Sequence, residues 1–551
     1  MAVMRLDEKL GQMTQSIWHN GVSPEIVRDV GIGSVIHTEG PFPGETTEEW
    51  IAHFNRFQQA ALNSRLGIPL LIGVDSVHGQ NTFAGAVIFP HNIGMGATRN
   101  LTLIEQAARI TALESLGTGF NMSFAPCIAM PKHEHWGRVY EGYSEEPEFT
   151  REAGLAAIRG LQGVDLARRD TVAATAKHFV ADGATSGGVE GGNAIVNEEL
   201  LRETLLPPYQ AAVDAGVAAI MVGFNSVNGI NMHQHRQLVT DVLKGEMGFT
   251  GMVMTDWDGG LRFGAPHTVI NAGIDLAMQP GNHERFISEL RASVEDGTVP
   301  MARIDDAVRR ILELKFKLDL FNDPFAKAEH APLVGSEAHR AVARQAVRES
   351  LVLLKNQNQA LPLKAKDSIA VIGPHGNNSG LQSGGWSIHW QGQTESYRGA
   401  TTIYDAVRAV APDATYHAEG CPANSPTGTA VVVVGEQPYA EALGDTDELW
   451  LSDAHKQMVK DCAQRADRLV VVLISGRVLE ISDQFEQSDA FVAAWLPGSE
   501  GTGVADFLFG SDGFTPRGRL PLVWPKKAAD LPLEIGDERA LFPYGYGLQQ
   551  Y

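Results

Sequence analysis

Residues 251–260 read GMVMTDWDGG, an apolar run of strand length that stops abruptly at Asp256, Trp257 and Asp258. An apolar strand that ends in two carboxylates and an indole raises the question of what that end faces. The pattern recurs along the chain. Strand-length runs IGSVIHT from Ile32, PLLIGVD from Pro69, NMSFAPCI from Asn121, AATAKHF from Ala173, AAIMVGF from Ala218 and IDLAMQP from Ile274 alternate with amphipathic, helix-length stretches up to about residue 320. Such alternation predicts parallel strands joined by crossover helices. Seven units are one short of eight, so a (β/α)8 barrel requires one irregular or missed strand, and periodicity alone leaves an open doubly wound sheet standing. Polar residues gather at the C-terminal ends of the runs: Asp75, Lys177 with His178, Asn225 and Asp256. Any one strand can end simply where polarity begins, but in a barrel these ends share one face, where active sites are built.

A second unit is predicted beyond a linker at 321–345, which holds FNDPFAKAEHAP and part of a helix-like stretch, SEAHRAVARQAVRES. Its runs LVLLKN from Leu351, SIAVIGP from Ser368, AVVVVGE from Ala430, RLVVVLISG from Arg468 and AFVAAWLPG from Ala490 are continuously apolar and β-branched. Strands buried on both faces read this way, which predicts a three-layer α/β sandwich with a parallel sheet over 346–551, after a barrel over 1–320.

Composition narrows the partners. The chain has 551 residues, 44% hydrophobic and 20% charged, too many for one core. A net charge of −22 repels phosphate backbones and excludes nucleic acid as a partner. No apolar run is long enough to span a bilayer, and MAVMRLDEKLGQMTQ reads as a surface helix rather than a signal peptide. A soluble monomer or homodimer is expected, cytoplasmic as the sequence stands, periplasmic or secreted if a leader has been removed. Cys127, Cys421 and Cys462 lie far apart in sequence, so neither a disulfide framework nor a CxxC knuckle is expected.

Asp256 at a strand end can serve as nucleophile, base, metal ligand or helix cap. The adjacent indole offers the kind of apolar face on which sugar rings stack. Asp75, Arg138 in HWGRVYEG, Lys177 and His178 mix donors with acceptors. That mixture matches a polyol better than a phosphate, which needs donors alone; each residue taken singly also reads as half of a buried ion pair.

Together GVDSVHG, FAPCIA, HWGRVYEGYSEEP, AKHFVADG, VMTDWDGG, LVLLKN, GGWSIHWQG, VVGEQPYAE, WLPGSEGTGVADFLFG, GRLP and LFPYGYGL resemble glycoside hydrolase family 3, in particular its two-domain exo-acting β-glucan glucohydrolases. The resemblance spans essentially the whole chain. It implies a (β/α)8 barrel followed by an (α/β)6 sandwich with a pocket at their interface. It makes Asp256 the nucleophile and Glu441, at the end of GEQPYAE, the acid/base supplied by the second domain. Asp75, Arg138, Lys177, His178 and Arg262 would hold the hydroxyls of the terminal sugar, with Met221 nearby. Trp257 and Trp390 would flank the leaving-group sugar and Trp386 would lie close by. No cofactor and no metal are implied; the substrate would be a β-1,3- or β-1,4-linked glucan or oligosaccharide. A retaining glycosidase needs two carboxyls about 5 Å apart in opposite protonation states. Arg138 and Lys177 would favour ionisation of one, and a loop across the domain gap would keep Glu441 protonated. Glu436, directly after VVVVG, competes with Glu441 on sequence alone and otherwise reads as a structural strand-end carboxylate.

The chain departs from the family pattern in places. Phe224 stands where relatives often have a tyrosine that bonds the nucleophile, with Asn225 the residue available to replace it. KHEHWGR at 132–138 replaces the usual RDPRWGR; its His133 and His135 could ligate a metal, but no third ligand is evident, and the segment reads as a loop positioning Arg138. KHFVADGATSGG lacks the second histidine of the one-domain N-acetylglucosaminidases, which returns the acid to the second domain. A β-xylosidase or N-acetylglucosaminidase of the same family is the alternative activity. A silent carbohydrate-binding protein would have lost a carboxylate, and a nucleotide-binding second domain would need a GxGxxG that is absent.

Overall fold

The short apolar runs of the first half close into a barrel. The computed structural model describes residues 3–422 and 427–551. Eight parallel strands form it: β1 Thr14–Ile17, β2 Ser34–His37, β3 Leu71–Val74, β4 Met122–Ser123, β5 Ala173–Phe179, β6 Ala219–Val222, β7 Met252–Met254 and β8 Ala277–Met278. They neighbour one another in the order β7-β6-β5-β4-β3-β2-β1-β8. A parallel bridge between Met254 and Leu276, with the Asp275 N–H donating to the Val253 carbonyl at 2.8 Å, ties β7 to β8 and closes the ring.

The strand missing from the apolar count is β1, TQSI. The helix predicted from the first residue runs only over Leu6–Gln12 (residues 1 and 2 lie outside the described residues), and the chain then enters the barrel. Its polar side chains hid it: Thr14, Gln15 and Ser16 are fully buried. Their donors are satisfied internally, Gln15 Nε2 donating to Ser34 Oγ at 2.6 Å and Ser16 Oγ to the Pro280 carbonyl at 3.0 Å. Buried polar atoms bonded in this way cost little. The crossover helices follow from their caps and faces. Helix Thr47–Leu62, for example, starts at a Thr46/Glu49 capping box and buries Trp50, Phe54 and Phe57.

After the last barrel helix, Met301–Lys317, helix Glu337–Ser350 leads straight into the second sheet. That sheet comprises β9 Val352–Asn356, β10 Ile369–Ile372, β11 Thr415–His417, β12 Thr427–Gly435, β13 Ala466–Ile474 and β14 Ala490–Trp495, ordered β9-β14-β13-β12-β10-β11. Val431 to Val434 are fully buried at its centre, as strands covered on both faces require. One expectation is corrected: the sheet is not wholly parallel, since β9 runs antiparallel to β14. No crossover joins those two strands, so nothing imposes the parallel sense. A second correction concerns the cysteines. Cys421 and Cys462, 41 positions apart, form a disulfide with Cα atoms 5.4 Å apart; folding brings together what sequence distance kept separate. Cys127 is buried and free. No helix among the described residues is long and apolar enough to cross a membrane.

Candidate active site

The barrel strands deliver their C-terminal ends to one face. Glu39 follows β2, Asp75 follows β3, Arg138 lies in the loop after β4, Lys177 and His178 end β5, Met221 lies in β6, and Asp256 with Trp257 follow β7. Two segments of the second domain, one carrying Trp386 and Trp390 and the other Glu441, lie over this face. The eleven residues expected at the site line a single cavity of about 340 Å³, together with Phe224, Leu443 and others. The cavity is graded. Arg138, Lys177, His178 and Met221 at its floor are at most 2% exposed, whereas Trp257 at its rim is 37% exposed. Trp386 is also buried, so it belongs to the wall rather than the rim.

Arg138 organises the floor. Its Nε and Nη2 donate to the two oxygens of Glu141 at 2.8 and 3.0 Å, and Nη1 lies 3.3 Å from Glu190 and 3.4 Å from Glu441. A buried guanidinium needs such partners. Glu141 also accepts from the Trp386 indole at 2.9 Å, which fixes that wall. Burial resists ionisation of Glu141, but Arg138 and Lys177 outweigh it and bring its pKa down to about 2. Four other acids go the other way. Burial raises Glu441 to about 8; Arg138 opposes this, while Asp256 and Glu190 add to it. Burial, with Asp182 beside it, lifts Glu190 to about 8, and burial lifts Asp182 to about 7. Asp75 rises to about 6, burial prevailing over Lys177, whose ammonium lies 3.6 Å away. Burial and the Arg138 charge hold His178 well below its ordinary range, and therefore neutral.

Asp256 is held by its backbone and left open at its side chain. Its N–H donates to His233 Nε2 at 3.2 Å. Burial and Arg262 press the His233 pKa down to about 3, so this imidazole is neutral and can accept. Oδ1 of Asp256 accepts the Trp257 N–H at 2.6 Å, and Oδ2 has no hydrogen-bond partner among the described residues, with His178 Nε2 3.5 Å away. Asn225 does not replace the missing phenol, because its Nδ2 is committed to the Val180 carbonyl at 2.9 Å. Phe224 instead packs under the Arg262 guanidinium, 4.6 Å from its ring centre. Asp258 accepts from Gln279 Nε2 at 3.1 Å and does not line the cavity.

Glu436 and Glu441 separate cleanly. Glu436 accepts from the Gly476 N–H at 2.8 Å and the Tyr439 hydroxyl at 3.1 Å, and pairs with Arg477 at 3.1 Å. It lines no part of the cavity. His135 reaches across the domains to Asp447 at 2.9 Å, and no cluster of three or more metal-ligating side chains occurs among the described residues.

Sequence reasoning overlooked Glu141, Asp182 and Glu190. Two of them carried a signal: Glu141 sits three positions after Arg138 on a 3-10 turn and Asp182 four after His178, both spacings that return a side chain to its partner. Glu190 is a lone acid in a glycine-rich loop, and nothing in the sequence ties it to Arg138.

The sequence of residues 5–314 matches the model of the glycosyl hydrolase family 3 N-terminal domain, and 351–550 that of its C-terminal domain. The chain belongs to glycosyl hydrolase family 3. Among family relatives, the lysosomal beta glucosidase of Dictyostelium discoideum is 31% identical over 100% of this chain and 75% of its own length. The periplasmic beta-glucosidase of Salmonella typhimurium is 30% identical over 99% and 79%. The solved structure of an exo-1,3/1,4-beta-glucanase from a Pseudoalteromonas species superposes with a TM-score of 0.94 at 37% identity, covering 99% of this chain and 73% of that one. The barrel followed by a separate six-stranded sheet is the two-domain architecture of this family.

Proposed function

We propose that this family 3 enzyme is a retaining exo-β-D-glucosidase that releases glucose from the non-reducing end of β-1,3- and β-1,4-linked glucans and oligosaccharides. The observation that carries the reading is the pairing, in one cavity, of an Asp256 oxygen free of hydrogen bonds with a Glu441 whose pKa is raised to about 8. Asp256 Oδ2 attacks the anomeric carbon while Glu441 protonates the departing glycosidic oxygen, giving a glycosyl ester on Asp256. Water then enters, Glu441 takes its proton, and the ester carbon–oxygen bond breaks with the sugar's configuration retained. The switch from acid to base has a physical cause. The Asp256 charge helps keep Glu441 protonated; once Asp256 is esterified that charge is gone, and Glu441 ionises more readily.

Exo action follows from the cavity's grading. A closed floor of Asp75, Arg138, Lys177 and His178 can take one terminal ring, whose hydroxyls find both donors and acceptors there. The rim tryptophans Trp257 and Trp390 hold the next ring by area rather than by directional bonds, which tolerates more than one linkage. The activities named for the relatives agree with this reading. A panel of aryl β-D-glucoside, β-D-xyloside and N-acetyl-β-D-glucosaminide tests it. Glucoside preference with comparable turnover of laminaribiose and cellobiose is expected; xyloside preference would overturn the substrate, and a strong bias to one disaccharide would overturn the two-sided clamp.

A further inference from the structure

The loop that carries Glu441 crosses the domain gap, and its seat on the barrel is built around one carboxylate. Asp445 Oδ1 accepts the Gly137 N–H at 2.8 Å and its Oδ2 accepts the Glu190 N–H at 2.7 Å. Gly137 precedes Arg138, so the two amides belong to the barrel segments that place the guanidinium and the Glu190 carboxylate beside Glu441. The neighbouring contacts point the same way. The Thr446 N–H donates to the His135 carbonyl at 3.1 Å, and the buried Arg477 donates to the carbonyls of both Gly444, at 2.7 Å, and Glu134, at 3.1 Å. The two backbones meet at glycines: a Cβ on Gly137 would collide with the Glu441 carbonyl oxygen, and one on Gly444 would lie 2.9 Å from the Gly137 Cα. Glu441 itself holds φ at +54°, a conformation that a non-glycine residue keeps only when its surroundings impose it. On the far side the Gln391 amide pairs with both backbone groups of Ala440, at 3.0 and 2.9 Å.

We infer that Asp445 is a positioning residue: its two bonds to the barrel lock the Glu441 turn over the cavity and set the place from which Glu441 delivers and takes its proton. The inference rests on Glu441 being the acid/base. In Asp445→Asn one oxygen remains but the amide nitrogen faces an N–H, so one of the two barrel bonds is lost and the turn loosens. A misplacement of about 1 Å costs roughly 100-fold in a positioned step, and here the loss should fall on the Glu441-dependent steps alone.

The test compares wild type, Asp445→Asn and Glu441→Ala on cellobiose and on 2,4-dinitrophenyl β-glucoside, whose leaving group needs no proton. For Asp445→Asn, kcat/KM on cellobiose should fall about 100-fold while kcat/KM on the aryl glucoside stays within a few-fold. Azide should raise kcat on the aryl substrate by attacking the glycosyl ester, forming the carbon–nitrogen bond of β-glucosyl azide as the bond to Asp256 breaks. Gly137→Ala, which pushes on the same turn by bulk, should reproduce the pattern if Asp445→Asn fails to fold. Equal losses on both substrates without azide rescue, or no loss on either, would overturn the inference. Failure of azide to rescue Glu441→Ala would instead remove the acid/base assignment beneath it.

Discussion

Glu441 should impose a basic limb on kcat/KM for cellobiose near pH 8, the value to which burial and the Asp256 charge raise it. The sign follows from its proposed role as acid: below that pH the carboxyl is protonated and can donate, and above it donation is lost. Esterifying Asp256 removes one negative charge. At the roughly 5.5 Å separation of a retaining pair, and with an effective dielectric of about 20, that charge is worth about 3 kcal/mol, or about two pKa units. Trapping the enzyme with a 2-deoxy-2-fluoroglucosyl donor should therefore move Glu441 from about 8 to about 6. Difference infrared spectra of the carboxyl band, taken against pH on free and trapped enzyme with Glu441→Gln as the blank, read this directly. The reasoning is refuted if Glu441 titrates alike in both forms, or if the basic limb survives in Glu441→Gln.

Asp256→Asn should cost roughly 10⁴-fold or more in turnover of an activated aryl glucoside, since an amide cannot attack; residual activity within a hundredfold of wild type would displace the nucleophile. Glu190→Gln should shift the basic limb to lower pH, because Glu190 raises Glu441 and also shares Arg138 with it; an unmoved or upward-shifted limb in kcat/KM would contradict the electrostatics. Glu134 is buried, its Oε2 has no hydrogen-bond partner among the described residues, and burial raises it from 4.5 to about 8. The unfolded chain therefore ionises first, and wild type should lose Tm relative to Glu134→Gln as pH rises between those two values; a Tm difference constant with pH would remove this linkage. Breaking the Cys421–Cys462 link by a double substitution to serine should lower stability by up to about 4 kcal/mol, from the entropy of closing a loop 41 positions long; identical denaturation curves for wild type with and without reductant would show that the link carries no stability.

The barrel was legible because its strand ends break an apolar pattern with charge, at Asp75, Lys177 and Asp256. Its first strand was not, because Thr14, Gln15 and Ser16 pack polar groups against polar neighbours and leave no apolar periodicity. The sense of β9 was equally hidden, since strand direction depends on what connects the elements rather than on their composition. At the site, motif order implied the nucleophile, the acid and the hydroxyl ligands, and folding places all of them around one cavity. The carboxylates that set their electrostatics escaped. Glu190 touches Arg138 only because a glycine-rich loop turns inward, and Asp445 acts through backbone amides, which carry no residue-specific signature in sequence.

Six carboxyl groups surround the floor of this cavity, Asp75, Glu141, Asp182, Glu190, Asp256 and Glu441, against the cations of Arg138 and Lys177. So many buried acids cannot all ionise at once, and the distances decide which yields. Glu141 takes the bidentate face of Arg138 and has its pKa lowered to about 2, leaving Glu190 and Glu441 to share the remaining nitrogen at 3.3 and 3.4 Å. Both are raised to about 8. Burial is what raises both, and the neighbouring carboxylates add to it, so protonated carboxyls lie beside Asp256 at neutral pH. The barrel carries the charged floor, while the place of Glu441 is set by a separate joint between the domains. In the proposed mechanism that joint, rather than the barrel alone, brings Glu441 to Asp256.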